Sequence, residues 1–169
     1  MAMECEYVQY YVEGENEERL ISVLKTDLMV IRPGKVQKLN VVERALSNAR
    51  LMALRPRTVA VLVFDTDTGH VDILKRNVEM LKGCRNVSEI VLVPQVKNLE
   101  EELVRACGLR DIRDLLSSRS RQEFKSDLLR VTNLAGKLRE RGFDIGRFWS
   151  CTPTYPYESI PNQAGRIKL

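Results

Sequence analysis

The sequence predicts an α/β protein with a mostly parallel central sheet of about four strands, flanked by helices and extended by further helices on the carboxyl side. Three observations lead there. Residues 59–64, VAVLVF, form an apolar, valine-rich run bounded by turn formers. Such a run is too short for a helix and reads as a strand buried on both faces. Apolar strand-like runs and helical spacing alternate along the first hundred residues in a β-α-β-α-β-α-β rhythm, the pattern of a doubly wound sheet. The central run also leads straight into Asp65 and Asp67, and open α/β sheets carry their chemistry at the carboxyl ends of their strands.

Taken in order, residues 6–12, EYVQYYV, alternate and stop at Glu13-Gly14, which predicts a first strand. A helix over 16–25 follows, with Leu20, Ile21, Val23 and Leu24 as its apolar face and Asn16 available as its cap. Residues 28–31 read as a short second strand, stopped by Arg32-Pro33-Gly34. Asn40 is placed to cap a second helix, in which Val41, Val42, Ala45, Leu46 and Ala49 recur at helical spacing. Residues 59–64 are the third strand, and Val71, Ile73, Leu74, Val78 and Leu81 mark the helix after it, stopping near Gly83. Residues 90–93 are a fourth strand that Pro94 is expected to end.

Asn98 opens the helix LEEELVRAC, and Ser120 with Glu123 makes a capping box for another. In that later helical region Phe124, Leu128, Val131 and Leu134 are expected to face the core. From Arg105 to Arg147 there are eleven Lys or Arg against six Asp or Glu, which suits either a nucleic-acid backbone or an ordinary solvated face. Phe148 and Trp149 either anchor the end of the domain or stack on a base. The division expected is a domain over 1–150 and a flexible tail over 151–169, where prolines are frequent and periodicity is lost.

A chain of 169 residues, 44% hydrophobic and 30% charged, has the composition of one globular domain rather than a disordered segment. Its net charge of +4 permits an anionic partner without demanding one. Cys5, Cys84, Cys107 and Cys151 are scattered, with no C-x-x-C pair and a single histidine. That excludes a structural zinc motif and a dense disulfide framework, and fits reduced thiols. The opening MAMECEYVQYYVEGE has glutamates where a signal peptide needs a basic start. No run approaches the roughly twenty apolar residues of a membrane span. The expected location is cytoplasmic, with no membrane partner.

The chemistry is expected at the acids. Asp65 and Asp67 are separated by one threonine, and carboxylates so close repel unless a cation lies between them. Hard divalent ions such as Mg2+ or Mn2+ take oxygen ligands. In a parallel sheet all carboxyl ends point the same way, so Glu13 from the first strand can converge on the pair. Such a set suits metal-assisted phosphoryl chemistry, with Glu13 as general acid or base or as a further ligand.

YYVEGENEE at 10–18 and VLVFDTDTG at 61–69 together resemble the Toprim family. This catalytic domain is shared by primases, topoisomerases, OLD-type nucleases and small RNA-processing nucleases. The likeness covers residues 6–95 and implies a Toprim-like, Rossmann-like fold. It implies that Glu13 is the strand-end glutamate and that Asp65 and Asp67 are the DxD pair, all three catalytic and metal-binding. Gly14 would be the small residue beside the phosphate, and Gly69 and His70 would lie at the substrate. EGENEE also looks like the E-G-x-x-E opening of OLD-type and RloB-like members. Many members read DxDxxG, whereas Gly69 comes one residue early.

The function implied is a Mg2+-dependent (or Mn2+-dependent) nuclease acting on DNA or RNA. The alternative is a non-catalytic Toprim-like module that binds nucleic acid or a protein partner. FDTDTG is also similar to the start of haloacid-dehalogenase-like phosphatases, but the strand is third rather than first and no later Gly-Asp-x-x-x-Asp follows. An EF-hand loop fails at Gly69. An acidic turn can also simply cap the next helix, through Asp67 or Thr68. The lone His70 can be a solvated residue. Glu100, Glu101 and Glu102 fit either a second metal or the dipole of their own helix. Lys97 and Lys125 are further candidates to reach a phosphate.

Overall fold

The computed structural model describes residues 6–169; Cys5 lies outside them. Four strands, β1 (Tyr7–Val12), β2 (Lys35–Lys38), β3 (Thr58–Asp65) and β4 (Val87–Gln95), form one sheet in the order β2-β1-β3-β4. Every pairing in it is parallel. Helices α1 (Glu15–Ser22), α2 (Asn48–Met52), α3 (Asp72–Lys82), α4 (Leu99–Cys107), α5 (Arg113–Leu116), α6 (Arg121–Arg130) and α7 (Leu134–Glu140) flank it. No helix among the described residues is long and apolar enough to cross a membrane.

Strand β3 is buried along its whole length. Its side chains alternate between two cores, as a strand's period of two requires. Val59, Val61 and Val63 enter one core with Leu20 and Ile21 of α1, Leu103 of α4, and Phe124 and Leu128 of α6. Ala60, Leu62 and Phe64 enter the other with Leu74 and Leu81 of α3, Leu46 and Tyr157. The chain therefore leaves β1 towards one face and β3 towards the other. The two central strands flank the point where the strand order reverses, beyond whose carboxyl ends open α/β sheets bind their ligands.

Four sequence expectations are corrected. The second strand is Lys35–Lys38, not 28–31. Residues 28–31 look like a strand because Ile31 is fully buried and Leu28 and Val30 pack beneath it, yet only Ile31 makes a bridge, antiparallel to Lys168. The true strand, KVQK, is a polar edge paired on one side to β1, so no apolar pattern marks it. The helix expected over 41–49 is instead a turn followed by the short α2. Asn77, fully buried on α3, takes over the backbone there: its Nδ2 donates to the carbonyls of Val41 and Arg44 (both 2.9 Å), and its Oδ1 accepts from Leu46 N (2.7 Å).

Pro94 does not end the fourth strand. It pairs opposite Phe64 within β4, which is an edge strand where a missing N–H is tolerated. Finally, residues 151–169 are not a loose tail. Tyr157, Ile160, Ala164 and Ile167 are buried, and Gln163 binds the outer edge of β4, its N donating to Leu92 O (2.8 Å) and its Oε1 accepting from Leu92 N (2.9 Å).

Candidate metal centre

The register of the sheet places the first two acids. Tyr11 pairs with Leu62, which sets Glu13, one residue past β1, beside the Phe64–Asp65 end of β3. Glu17 joins them from the first turn of α1. Its Oε2 accepts from Gly14 N (3.1 Å), which is one half of a capping box and folds the carboxylate back over the strand end. One carboxylate oxygen from each of Glu13, Glu17 and Asp65 lies within 4.8 Å of the others.

Glu17 and Asp65 are shielded from water, Glu13 is half-buried, and none has a cationic partner among the described residues. Asp65 is 9% exposed and Glu17 8%. None of the ion pairs among the described residues involves Glu13, Glu17 or Asp65. The charge of Lys125 acts on Glu13, but Lys125 is paired with Glu100 (3.6 Å). Burial raises the Asp65 carboxyl well above the ordinary range, and the Glu13 and Glu17 charges add to it. Burial likewise raises Glu13, with Asp67 and Glu43 adding to it. Glu17 is pushed up to about 7, by burial first and then by Glu13 and Glu100.

Glu13 Oε2 is buried and accepts no hydrogen bond. An oxygen in that condition, amid acids that cannot all ionise together, is what a hard divalent ion would relieve. The donor set of three carboxylates fits Mg2+ or Mn2+ and lacks the nitrogen and sulfur ligands that favour zinc.

Behind the acids runs a buried relay. The Trp149 indole N–H donates to Gln95 Oε1 (3.1 Å), and Gln95 Nε2 donates to Asp65 Oδ1 (2.7 Å). An indole only donates, so it fixes the amide with its oxygen towards Trp149 and its NH2 towards Asp65. Trp149 N donates to Glu102 Oε2 (2.8 Å), and Glu102 Oε1 accepts from Val96 N (2.8 Å) and Arg105 Nη2 (2.5 Å). Glu102 is therefore a satisfied structural acid, and Phe148 and Trp149 are anchors within the core.

Asp67, Gly69 and His70 lie on the exposed turn after β3. Asp67 is outside the close group, yet near enough for its charge to act on Glu13. Gly69 has φ +76°, a conformation that favours glycine. Gly14, by contrast, is extended, and a Cβ there would meet only Glu17 Oε2 at 3.6 Å. Gly14 itself is the cap residue of α1, while Asn16 donates to Lys125 O (3.1 Å). Glu17 and Gln95 were missed from the sequence as site residues. The spacing E-G-x-x-E was a visible signal for Glu17; Gln95, directly after Pro94, offered none. Comparison of the chain with family models, curated proteins and solved structures finds no match.

Proposed function

We propose that the chain is a Toprim-like, divalent-metal-dependent phosphoryl-transfer enzyme, a nuclease that cleaves DNA or RNA. One observation carries the reading: three carboxylates from a strand end, a helix start and the neighbouring strand end meet within 4.8 Å, two of them buried and none ion-paired among the described residues. Their order along the chain agrees with the Toprim likeness, and their position at the reversal of strand order is where open α/β sheets bind ligands.

In this reading Glu13, Glu17 and Asp65 hold Mg2+ or Mn2+, with Asp67 completing the set. The ion supplies charge neutralisation at a phosphodiester and a lowered pKa for a bound water. Gln95, oriented by Trp149, keeps Asp65 Oδ1 occupied as an acceptor, which leaves Oδ2 for the ion. Glu13 would bind the ion through its unpartnered Oε2, or act instead as the general base of the reaction. Gly69 and His70 lie beside Asp67, where a phosphate would approach. The unpaired thiols of Cys84, Cys107 and Cys151 agree with a cytoplasmic enzyme.

The test is incubation with labelled DNA and RNA in Mg2+, Mn2+ or chelator. Cleavage should require metal and vanish in Glu13→Gln and Asp65→Asn while both variants stay folded. Metal-independent cleavage, or variants as active as the parent, would refute the assignment. Binding of nucleic acid without turnover would instead support the non-catalytic module.

A further inference from the structure

The turn that carries Asp67 is held by the far end of the chain. Thr66 is tied to the sheet edge: its N donates to Gln95 O (3.2 Å) and Lys97 O (2.8 Å), and its Oγ1 to Gln95 O (2.9 Å). Beyond Thr66 that support stops. Among the described residues, no backbone group of residues 67–69 is hydrogen-bonded to the sheet or to a helix. What holds the turn is the Tyr157 hydroxyl. It donates to His70 O (2.7 Å) and meets Thr68 Oγ1 at 2.5 Å. A phenol has one proton, so with that proton on His70 O the threonine must donate to the phenol oxygen. Thr68 Oγ1 then accepts from His70 N at 3.4 Å.

The Tyr157 ring is fully buried and packs on Phe64, with centroids 6.2 Å apart. Phe64 is the residue before Asp65. One side chain therefore joins the strand that carries Asp65 to the turn that carries Asp67. We propose that Tyr157 is a positioning residue, whose hydroxyl sets where Asp67 stands relative to Glu13 and Asp65. This rests on the metal-dependent reading above and adds residues around 157 to the site. It acts through Asp67 and not as a ligand.

The test measures Mn2+ affinity by electron paramagnetic resonance, and amide exchange at residues 67–70, in the full chain. Tyr157→Phe keeps the ring on Phe64 and removes the hydroxyl. It should weaken Mn2+ binding about tenfold, the scale of lost outer-shell support. Thr68→Val should repeat the loss. In an Asp67→Asn background, Tyr157→Phe should change affinity less than twofold, because the residue it positions is already disabled. An affinity equal to the parent's, or losses that multiply in the double variant, would overturn the proposal. A parent protein that binds no Mn2+ would overturn the metal reading instead. The clasp is then judged by exchange alone: faster exchange at 67–70 in Tyr157→Phe upholds it, and unchanged exchange ends it.

Discussion

Replacing Glu17 by Gln should make the metal-free protein more stable at pH 8 and leave it unchanged at pH 4. Glu17 is buried beside Glu13 and Asp65, and its carboxyl sits at about 7 rather than the ordinary 4.5. In the unfolded chain the same group loses its proton near 4.5. Between those values the folded state holds a proton that the unfolded state has released, so stability falls as pH rises. The contribution is fully present below 4.5 and is lost once pH passes about 7. At ~1.4 kcal/mol per tenfold, the span amounts to about 3 kcal/mol at most. Glutamine carries no charge, and its carbonyl can still accept from Gly14 N, so the cap is kept. Thermal unfolding in chelator should therefore show the variant up to about 6–12 °C above the parent at pH 8. Added Mn2+ should narrow that gap, because the ion stabilises the three carboxylates of the parent and has one fewer to bind in the variant. A variant no more stable than the parent at pH 8, or equally shifted at pH 4, would refute like-charge crowding at this site.

Other consequences follow from the same contacts. Trp149→Phe keeps a ring against Phe148 but removes the donor that orients Gln95; Mn2+ affinity should fall several-fold and stability by about 1–2 kcal/mol, read by titration and by urea unfolding. Asn77→Ala leaves Leu46 N and the carbonyls of Val41 and Arg44 without their partner. It should cost about 3 kcal/mol or more, and a loss below about 1 kcal/mol in urea unfolding would show that the 41–46 turn holds itself. Gly34→Ala places a Cβ 2.5 Å from Val8 O and 2.8 Å from Val8 Cβ. Since the obstacle is strand backbone, the variant should lose about 1–3 kcal/mol by the same measurement.

What could be read from the sequence was whatever local pattern alone decides. The doubly buried β3 is visible as an unbroken apolar run, and its carboxyl-end acids follow directly. Helices α3 and α4 announce themselves through periodicity, with Gly83 closing one and Asn98 opening the other. The failures share a cause, which is that distant side chains decided the outcome. Val41, Val42 and Leu46 have helical spacing, but Asn77, some thirty residues on, captures the backbone groups a helix would have used. Residues 150–169 lack periodicity because they are held by single anchors, such as Tyr157 and Gln163, rather than by a repeating face. Lys35–Lys38 is invisible because a four-residue edge strand with one apolar side chain, Val36, leaves no pattern when mainly its backbone is needed.

The same division runs through the site. Asp65 is placed by the end of β3, Glu13 by the bend directly after β1, and Glu17 by the first turn of a capped helix. Asp67 stands beyond the strand: β3 ends at Asp65, Thr66 is still tied to Gln95 and Lys97, and residues 68–70 are held by a hydroxyl contributed some ninety positions later in the chain. A carboxylate on a turn can adjust as an ion and a phosphate arrive, which a carboxylate on a strand cannot. In the proposed site the strand-end acids would hold the ion, and Asp67, held through Tyr157, would complete the set. An ion site assembled from strand ends alone would need no Tyr157, and its clasp of a turn whose residues 67–69 make no backbone hydrogen bond to the sheet or a helix among the described residues would then have no function to explain it.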